Sequence, residues 1–179
     1  MPDADRPDGL DEEGTGLPFD DDDLELVPFR VFALEGDRVV VSLPDVARQN
    51  LHALAEALRG QLLGEEGDAD LGRLFPPAYT TDQPRDDEYR RLMRDELLAA
   101  RLGALDVLDA TLDAGSVDRA GFDRFLHALN AIRVWLGTRL GVDDDDWEPD
   151  PDDERATEIA VYYEVGLLLE LALRTLMGG

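Results

Sequence analysis

The 179-residue sequence contains no cysteine and no lysine, and both absences exclude whole classes of functional site. Without cysteine the chain cannot form a disulfide, a thiolate zinc site, a thiol nucleophile or a thiol redox switch. Without lysine it has neither a Schiff-base amine nor the phosphate-binding residue of a P-loop. The common thiol and nucleotide-binding chemistries are therefore excluded, and the lack of cysteine favours an intracellular protein.

Secretory and membrane-spanning segments are also missing. The first 23 residues hold many acids, one arginine and no apolar block, unlike a signal peptide. The longest apolar run, residues 159–177, contains Glu164, Glu170 and Arg174 and follows an acidic stretch. It is a poor membrane span and is predicted to be a buried core helix. We therefore expect a cytoplasmic protein without a membrane partner.

Positive charge is scarce, because 42 acidic residues outnumber 17 arginines and leave a net charge of −25. Such a surface repels phosphates, so the chain is not expected to bind nucleic acid by itself, and a cationic protein partner fits better. Residues 1–27 carry −10, residues 143–158 carry −9, and the other 136 residues carry only −6. The two acidic segments are interpreted either as solubilising or as docking elements for a basic partner.

The apolar pattern predicts a mainly α fold, in which a short N-terminal β-hairpin precedes a bundle of about four main helices. Residues 1–27 are predicted to be a disordered acidic tail, because so few apolar side chains cannot offset the ordering entropy. Residues 28–179 are predicted to be a single helical domain with the hairpin turning at Gly36-Asp37. The helices are expected from Asp45 to about Gly64, from about Pro84 to Asp113, from Asp118 to Gly141 and from about Asp153 onward.

Further predictions concern the connecting segments and the last helix. Residues 65–70 are predicted to be a polar loop, and RLFPPAY at 73–79 is predicted to be extended or turned, because its two prolines exclude a regular helix. Residues 143–158 are predicted to be an acidic loop that Trp147 anchors against the helices. The last helix is apolar nearly all round, which favours a place in the middle of the bundle or in a homodimer interface.

No residue pattern selects a catalytic or metal-binding site, so the protein is predicted not to be an enzyme and to use no cofactor. Asp20–Asp23 and Asp143–Asp146 lack the alternating order and the turn glycine of an EF-hand loop, so solvated acidic segments are favoured over a metal site. His52 and His127 are interpreted as helix-surface or boundary residues, because neither has a nucleophile at motif spacing. An enzyme with a metal on its acidic loops is the least favoured alternative.

Arg90, Arg94 and Arg101 lie within about 40° of one another on a helical wheel, which would allow an anion-binding row. Structural pairing is the favoured interpretation. Acids four residues before Arg90 suit pairing along the same helix, and the other two arginines are expected to pair with partly buried acids such as Glu164 or Glu170.

Three blocks of the sequence resemble an actinobacterial family of helical proteins of unknown function. They are RLFPPAYTTDQPRDDEYRRLMRDELLAARLGAL at 73–105, LNAIRVWLGTRLGVDDDD at 129–146 and DERATEIAVYYEVGLLLELAL at 153–173. The resemblance covers about residues 28–179. Genes of this family often lie beside the gene of the ClpS proteolytic adaptor, and one branch is AosR, an oxidative-stress transcriptional regulator associated with a sigma factor.

The resemblance implies a non-enzymatic regulator of transcription that works through a protein partner, either a sigma factor or another component of RNA polymerase. An acidic protein is suited to dock on a basic face of such a partner, because complementary fields speed association. The gene neighbourhood implies an alternative, a helical adaptor module of the Clp proteolytic system.

The surface favoured for this contact comprises the RLFPPAY segment and the start of the next helix, where the prolines would present side chains at low entropic cost. Its members are Arg73, Leu74, Phe75, Pro76, Pro77, Tyr79, Tyr89, Arg90, Arg91 and Arg94. The competing interpretation is that Phe75 and Tyr79 are buried in the core, as large aromatic side chains usually are. The sequence leaves both interpretations open.

Overall fold

A computed structural model of the chain describes residues 30–64, 69–75, 82–142, 147, 149 and 153–178. Its elements in chain order are strands β1 (Phe32–Glu35) and β2 (Arg38–Val41), helix α1 (Asp45–Leu63), a 3₁₀ helix (Ala69–Leu74), helix α2 (Gln83–Ala114), strand β3 (Ser116–Asp118), and helices α3 (Arg119–Leu140) and α4 (Ala156–Met177). The prediction of a mainly α fold with an N-terminal hairpin and four main helices is confirmed. The predicted tail at 1–27 lies outside the described residues.

The hairpin turns at Gly36, whose φ of 64° is the left-handed conformation that glycine adopts without strain. β1 and β2 pair antiparallel, with Phe32 opposite Val41. β3 joins the other edge of β2, with Val117 opposite Val39, and completes a three-stranded sheet. The sequence did not predict β3, because three residues are too few to show the alternation typical of a strand.

The predicted ends of α3 are confirmed by its capping contacts. The amide of Gly121 donates a hydrogen bond of 2.6 Å to the carboxylate of Asp118 at the N-terminus. At the C-terminus Gly141 has a φ of 74°, and its amide donates to the carbonyl of Thr138. Both caps are contacts between residues close together in the chain, and they mark the two ends of a 22-residue helix.

One hydrophobic cluster joins the sheet to all four helices. α3 is central to it, because α3 packs against each of the other three helices, and eleven of its residues are buried. The rings of Phe122 and Phe125 stack with centroids 5.7 Å apart, and Phe32 of β1 lies edge-on to both at 5.7 and 5.9 Å. This aromatic contact fastens the hairpin to the central helix.

Two expectations about the chain after α1 are wrong. Residues 69–70 are not loop but begin the 3₁₀ helix, which packs on α3 and buries Leu74 to 2% exposure. α4 begins at Ala156 and does not lie in the middle of the bundle, because one side of it packs on α3 and β1 while the opposite side is exposed. A homodimer interface on that exposed side stays a prediction. None of the helices in the described residues is long and apolar enough to cross a membrane.

Candidate interaction groove

An open groove of about 740 Å³ runs between α3 and α4, and Arg73, Val142 and Trp147 from outside these helices also line it. Arg133 and Gly137 of α3 and Tyr162 and Gly166 of α4 form its inner part. Its volume lies within the range of sites that hold a small ligand or a few side chains of a peptide. We call it the α3–α4 groove.

Two glycines allow the two helices to meet closely in the groove. A Cβ atom at Gly137 would lie 3.2 Å from Cε2 of Tyr162, and one at Gly166 would lie 3.3 Å from Nε of Arg133. Both distances are tighter than ordinary van der Waals contact, so a larger residue at either position would require the facing side chain to shift by a few tenths of an ångström. The glycines therefore set the position of Tyr162 and Arg133.

The base of the groove is formed around the ring of Tyr162. The guanidinium carbon of Arg133 lies 5.2 Å from the centroid of the Tyr162 ring, a distance typical of a cation–π contact. Trp147 packs edge-on against the same ring at 6.4 Å, in agreement with the expectation that Trp147 anchors its segment against the helices. Arg133 and Trp147 therefore both contact the ring of Tyr162 at the base of the groove.

The outer rim of the groove is apolar and faces solvent. Tyr163, Leu167 and Leu173 of α4 line it and are 50%, 55% and 44% exposed. Tyr163 and Leu167 are four residues apart and therefore occupy one face of the helix. Exposed apolar side chains that adjoin a concave surface are typical of an interaction site, whereas scattered ones are not.

Charged side chains of both signs, Arg73, Arg133 and Glu170, line the groove. Arg73 and Arg133 line it, and the carboxylate of Glu170 is paired with the guanidinium of Arg174 one turn later on α4. Arg73 also donates a hydrogen bond to the carbonyl of Val142, which holds its side chain at the groove. Residues 143–146, which connect the groove-lining Val142 and Trp147, lie outside the described residues.

The predicted contact surface is only partly brought together by the structure. Arg73 lines the groove, Leu74 belongs to the core and not to the surface, and Phe75 is half-buried against the core. Tyr89 is half-buried and Arg94 is exposed, both on α2. Pro76, Pro77 and Tyr79 lie outside the described residues, as do the side chains of Arg90 and Arg91. For Phe75, the interpretation as a residue packed on the core is the one that the structure supports.

The predicted pairing of Arg101 with an acid of the last helix is wrong. Its Nη2 donates a hydrogen bond of 2.8 Å to the carbonyl of Leu74, and burial lowers the pKa of its guanidinium. α2 and α4 each pack mainly on α3, so Arg101 and Glu170 belong to different sides of the bundle. Arg101 thus anchors the end of the 3₁₀ helix to α2, and Glu170 pairs with Arg174.

A polar network between α1 and α2 was not anticipated from the sequence. Nδ1 of His52 lies 2.8 Å from Oδ1 of Asp109, and its Nε2 lies 3.3 Å from Oδ1 of Asp113. Arg59 donates to Oδ2 of Asp109 at 2.8 Å, and this bond is the first cause of its raised pKa. The sequence signal for this network was spacing. His52 and Arg59 are seven residues apart on α1, and Asp109 and Asp113 are four residues apart on α2. Each pair therefore lies on one face of its helix, and the two faces meet. The network fastens α1 to α2.

The acidic segment before α4 includes one carboxyl group whose pKa is strongly lowered, that of Asp153. Asp153 accepts hydrogen bonds from the backbone amide of Arg155 at 2.8 Å and from its guanidinium. These bonds lower the pKa of Asp153 to about 2. Within the part of the chain that the structure describes, no group of three His, Asp or Glu side chains could hold a metal ion. Asp20–Asp23 and Asp143–Asp146, the candidate cation ligands, lie outside that part.

Comparison with known proteins gives a family but no function. No curated protein matches the chain, and no solved structure matches it. Residues 28–176 match a family model described as a domain of unknown function, DUF2017. Because the match spans most of the chain, the protein belongs to the DUF2017 family.

Proposed function

We propose that this protein is a cytoplasmic, non-enzymatic regulator that acts through contact with the transcription machinery, a sigma factor or another component of RNA polymerase, in the response to oxidative stress. The observation that carries the contact is the α3–α4 groove, which combines an exposed apolar rim with an aromatic base. The resemblance to the branch that includes AosR supports transcription as its setting.

The acidic segments and the apolar rim of the groove are expected to contribute to this contact in different ways. The acidic stretches at 1–27 and 143–158 suit electrostatic attraction to a basic face of the partner, which raises the rate of association. The apolar rim of the groove suits the anchors that contribute most of the affinity. Because the chain has no cysteine, a partner must sense any thiol-reactive oxidant and supply contact with DNA.

A pull-down from the native host with paired baits tests the proposal. The full chain and its Leu63→Ser variant are expected to recover a sigma factor or another RNA polymerase subunit, whereas Leu167→Ser is expected to recover on the order of tenfold less, as for an interface anchor. Leu63 is a matched control because it is 60% exposed on α1, against 55% for Leu167 on α4.

Two results would contradict the proposal. The first is a pull-down that contains no transcription component with any bait. The second is recovery of ClpS or of the Clp protease in its place, which would favour the adaptor function implied by the gene neighbourhood. Equal recovery of a transcription component by the two leucine variants would support a regulatory role but would show that the groove is not the contact surface.

A further inference from the structure

A second recess, of about 470 Å³, lies between α2 and α3 and shares no described lining residue with the α3–α4 groove. Small residues of α2 form much of its wall, and its charged members are Arg101, Arg124 and His127. None of the lining residues that the structure describes is acidic. The volume lies within the range of sites that hold small ligands. We call it the α2–α3 recess.

The guanidinium of Arg124 has no partner among the described residues. Its side chain is exposed on α3, and no hydrogen bond or ion pair in the described part of the chain involves it. The chain has 42 acids and only 17 arginines, so carboxylates are abundant as partners. An arginine that lines a recess without a carboxylate keeps all its donors for an anion from outside.

Arg101 brings a second guanidinium without a carboxylate to the same recess. Its Nη2 donates to the carbonyl of Leu74, and its other N–H groups make no hydrogen bond with a described residue. Burial lowers the pKa of this guanidinium, and no described acid opposes that fall. A partly buried positive charge without a counter-charge carries a desolvation cost, which a bound anion would offset.

A carboxylate lies beside the recess but does not neutralise these two groups. Oδ2 of Asp123 lies 3.5 Å from Nε2 of His127, and the two side chains are 70% and 67% exposed. Such an exposed pair is well solvated. The repulsion of an anion by the helical body is also weak, because residues 1–27 and 143–158 carry most of the net charge.

We propose that the α2–α3 recess binds a phosphate group, either free phosphate or that of a small phosphomonoester. Phosphate suits the site better than a carboxylate, because its oxygens accept hydrogen bonds from two guanidinium forks at once. The wall leaves space for it, since a Cβ atom at Gly103 would meet no other atom within 4 Å. A nucleic acid does not fit, because its many phosphates would also meet the acidic surface.

This site goes beyond the proposed function, because its ligand is not a protein and it shares no described lining residue with the groove. The test uses the purified chain and needs no partner. Failure of the phosphate site would therefore leave the contact with the transcription machinery untouched, and the reverse also holds.

The experiment titrates the isotope-labelled full chain with inorganic phosphate near neutral pH, with sodium chloride keeping the ionic strength constant, and records amide signals by NMR. Saturable shifts are expected at Gly103 and Arg124, and little change is expected at Leu167 of α4. Arg124→Gln is expected to weaken binding on the order of tenfold, because it removes charge-assisted hydrogen bonds. Arg119→Gln, an exposed arginine of the same helix outside the recess, is the matched control and is expected to leave the affinity unchanged.

Two further comparisons separate shape from charge and phosphate from carboxylate. Gly103→Leu keeps every charge but fills the recess, so it is expected to abolish the saturable shifts while a circular dichroism melt confirms that the chain is folded. Phosphoserine and glutamate differ mainly in the anionic group, and phosphoserine is expected to shift the recess amides at concentrations at which glutamate does not. Tighter binding of phosphoserine than of inorganic phosphate would identify a phosphomonoester as the source, and the reverse order would identify free phosphate.

Three outcomes would overturn the proposal. The first is a set of shifts that grows without saturation and is reproduced by chloride, which would indicate ionic screening only. The second is equal weakening by Arg124→Gln and Arg119→Gln. The third is a response to glutamate as strong as that to phosphoserine, which would assign the recess to carboxylates.

Discussion

Replacement of Phe32 by alanine tests whether the hairpin and the helices form one cooperative unit. Phe32 is 5% exposed, and its ring meets those of Phe122 and Phe125 at 5.7 and 5.9 Å. Deletion of a buried phenylalanine ring costs about 3–5 kcal/mol, which is a large share of the 5–15 kcal/mol that typically stabilises a domain. For a chain of this size the corresponding fall in Tm is about 6–20 °C.

Urea titration followed by the helical circular dichroism signal measures this loss. Phe32→Leu is expected to cost less, because it keeps most of the apolar volume and loses mainly the two edge-on ring contacts, each of about 0.5–1.5 kcal/mol. Glu35→Ala at the exposed end of the same strand is the control and is expected to change the free energy of unfolding by less than about 0.5 kcal/mol. If Phe32→Ala lowers that free energy by under about 1 kcal/mol, then the hairpin does not contribute to the cooperative core and the packing argument is wrong.

Three further predictions concern helix ends and a perturbed carboxyl group. Asp118→Ala is expected to lower the free energy of unfolding by about 1 kcal/mol in urea titrations, whereas Asp118→Asn keeps a capping acceptor and is expected to lower it less. Gly103→Ala is expected to raise that free energy by about 0.5–1 kcal/mol, because alanine favours the helical conformation and its methyl group would contact no other residue there. A decrease in the free energy of unfolding would contradict this. The pKa of Asp153 lies at about 2 instead of 3.8, so its stabilising contribution is present above pH 3.8 and is lost as the pH falls through 2. NMR titration of this carboxyl group measures the pKa directly, and Arg155→Ala is expected to raise it.

Local signals in the sequence were sufficient for most of the secondary structure. An aspartate at the start and a glycine at the end placed α3, and a glycine-containing turn between two β-rich runs placed the hairpin. These signals work because capping and turn conformations depend on neighbouring residues alone. β3 and the 3₁₀ helix escaped prediction because both are too short for a periodic pattern.

The candidate site was much less accessible to prediction. Among those residues of the chosen contact surface whose side chains the structure describes, Arg73 alone lines the groove, and Leu74 is in the core. A residue beside a proline has a restricted backbone, but this does not indicate whether its side chain faces the solvent or the core. The nearly uniform apolarity of α4 also gave no clue to which of its faces is covered.

The sequence by itself determined the classes of chemistry that are excluded, the order and type of the main elements, and the concentration of most of the net negative charge in two segments. Each of these follows from composition or from contacts between residues close in the chain. Only the tertiary structure decided that Arg101 holds a backbone carbonyl, that His52 and Arg59 share Asp109, and that Arg133 meets Tyr162 beside an open apolar rim. These contacts join residues from 27 to 57 positions apart, and their partners depend on which helices pack together and at what distance.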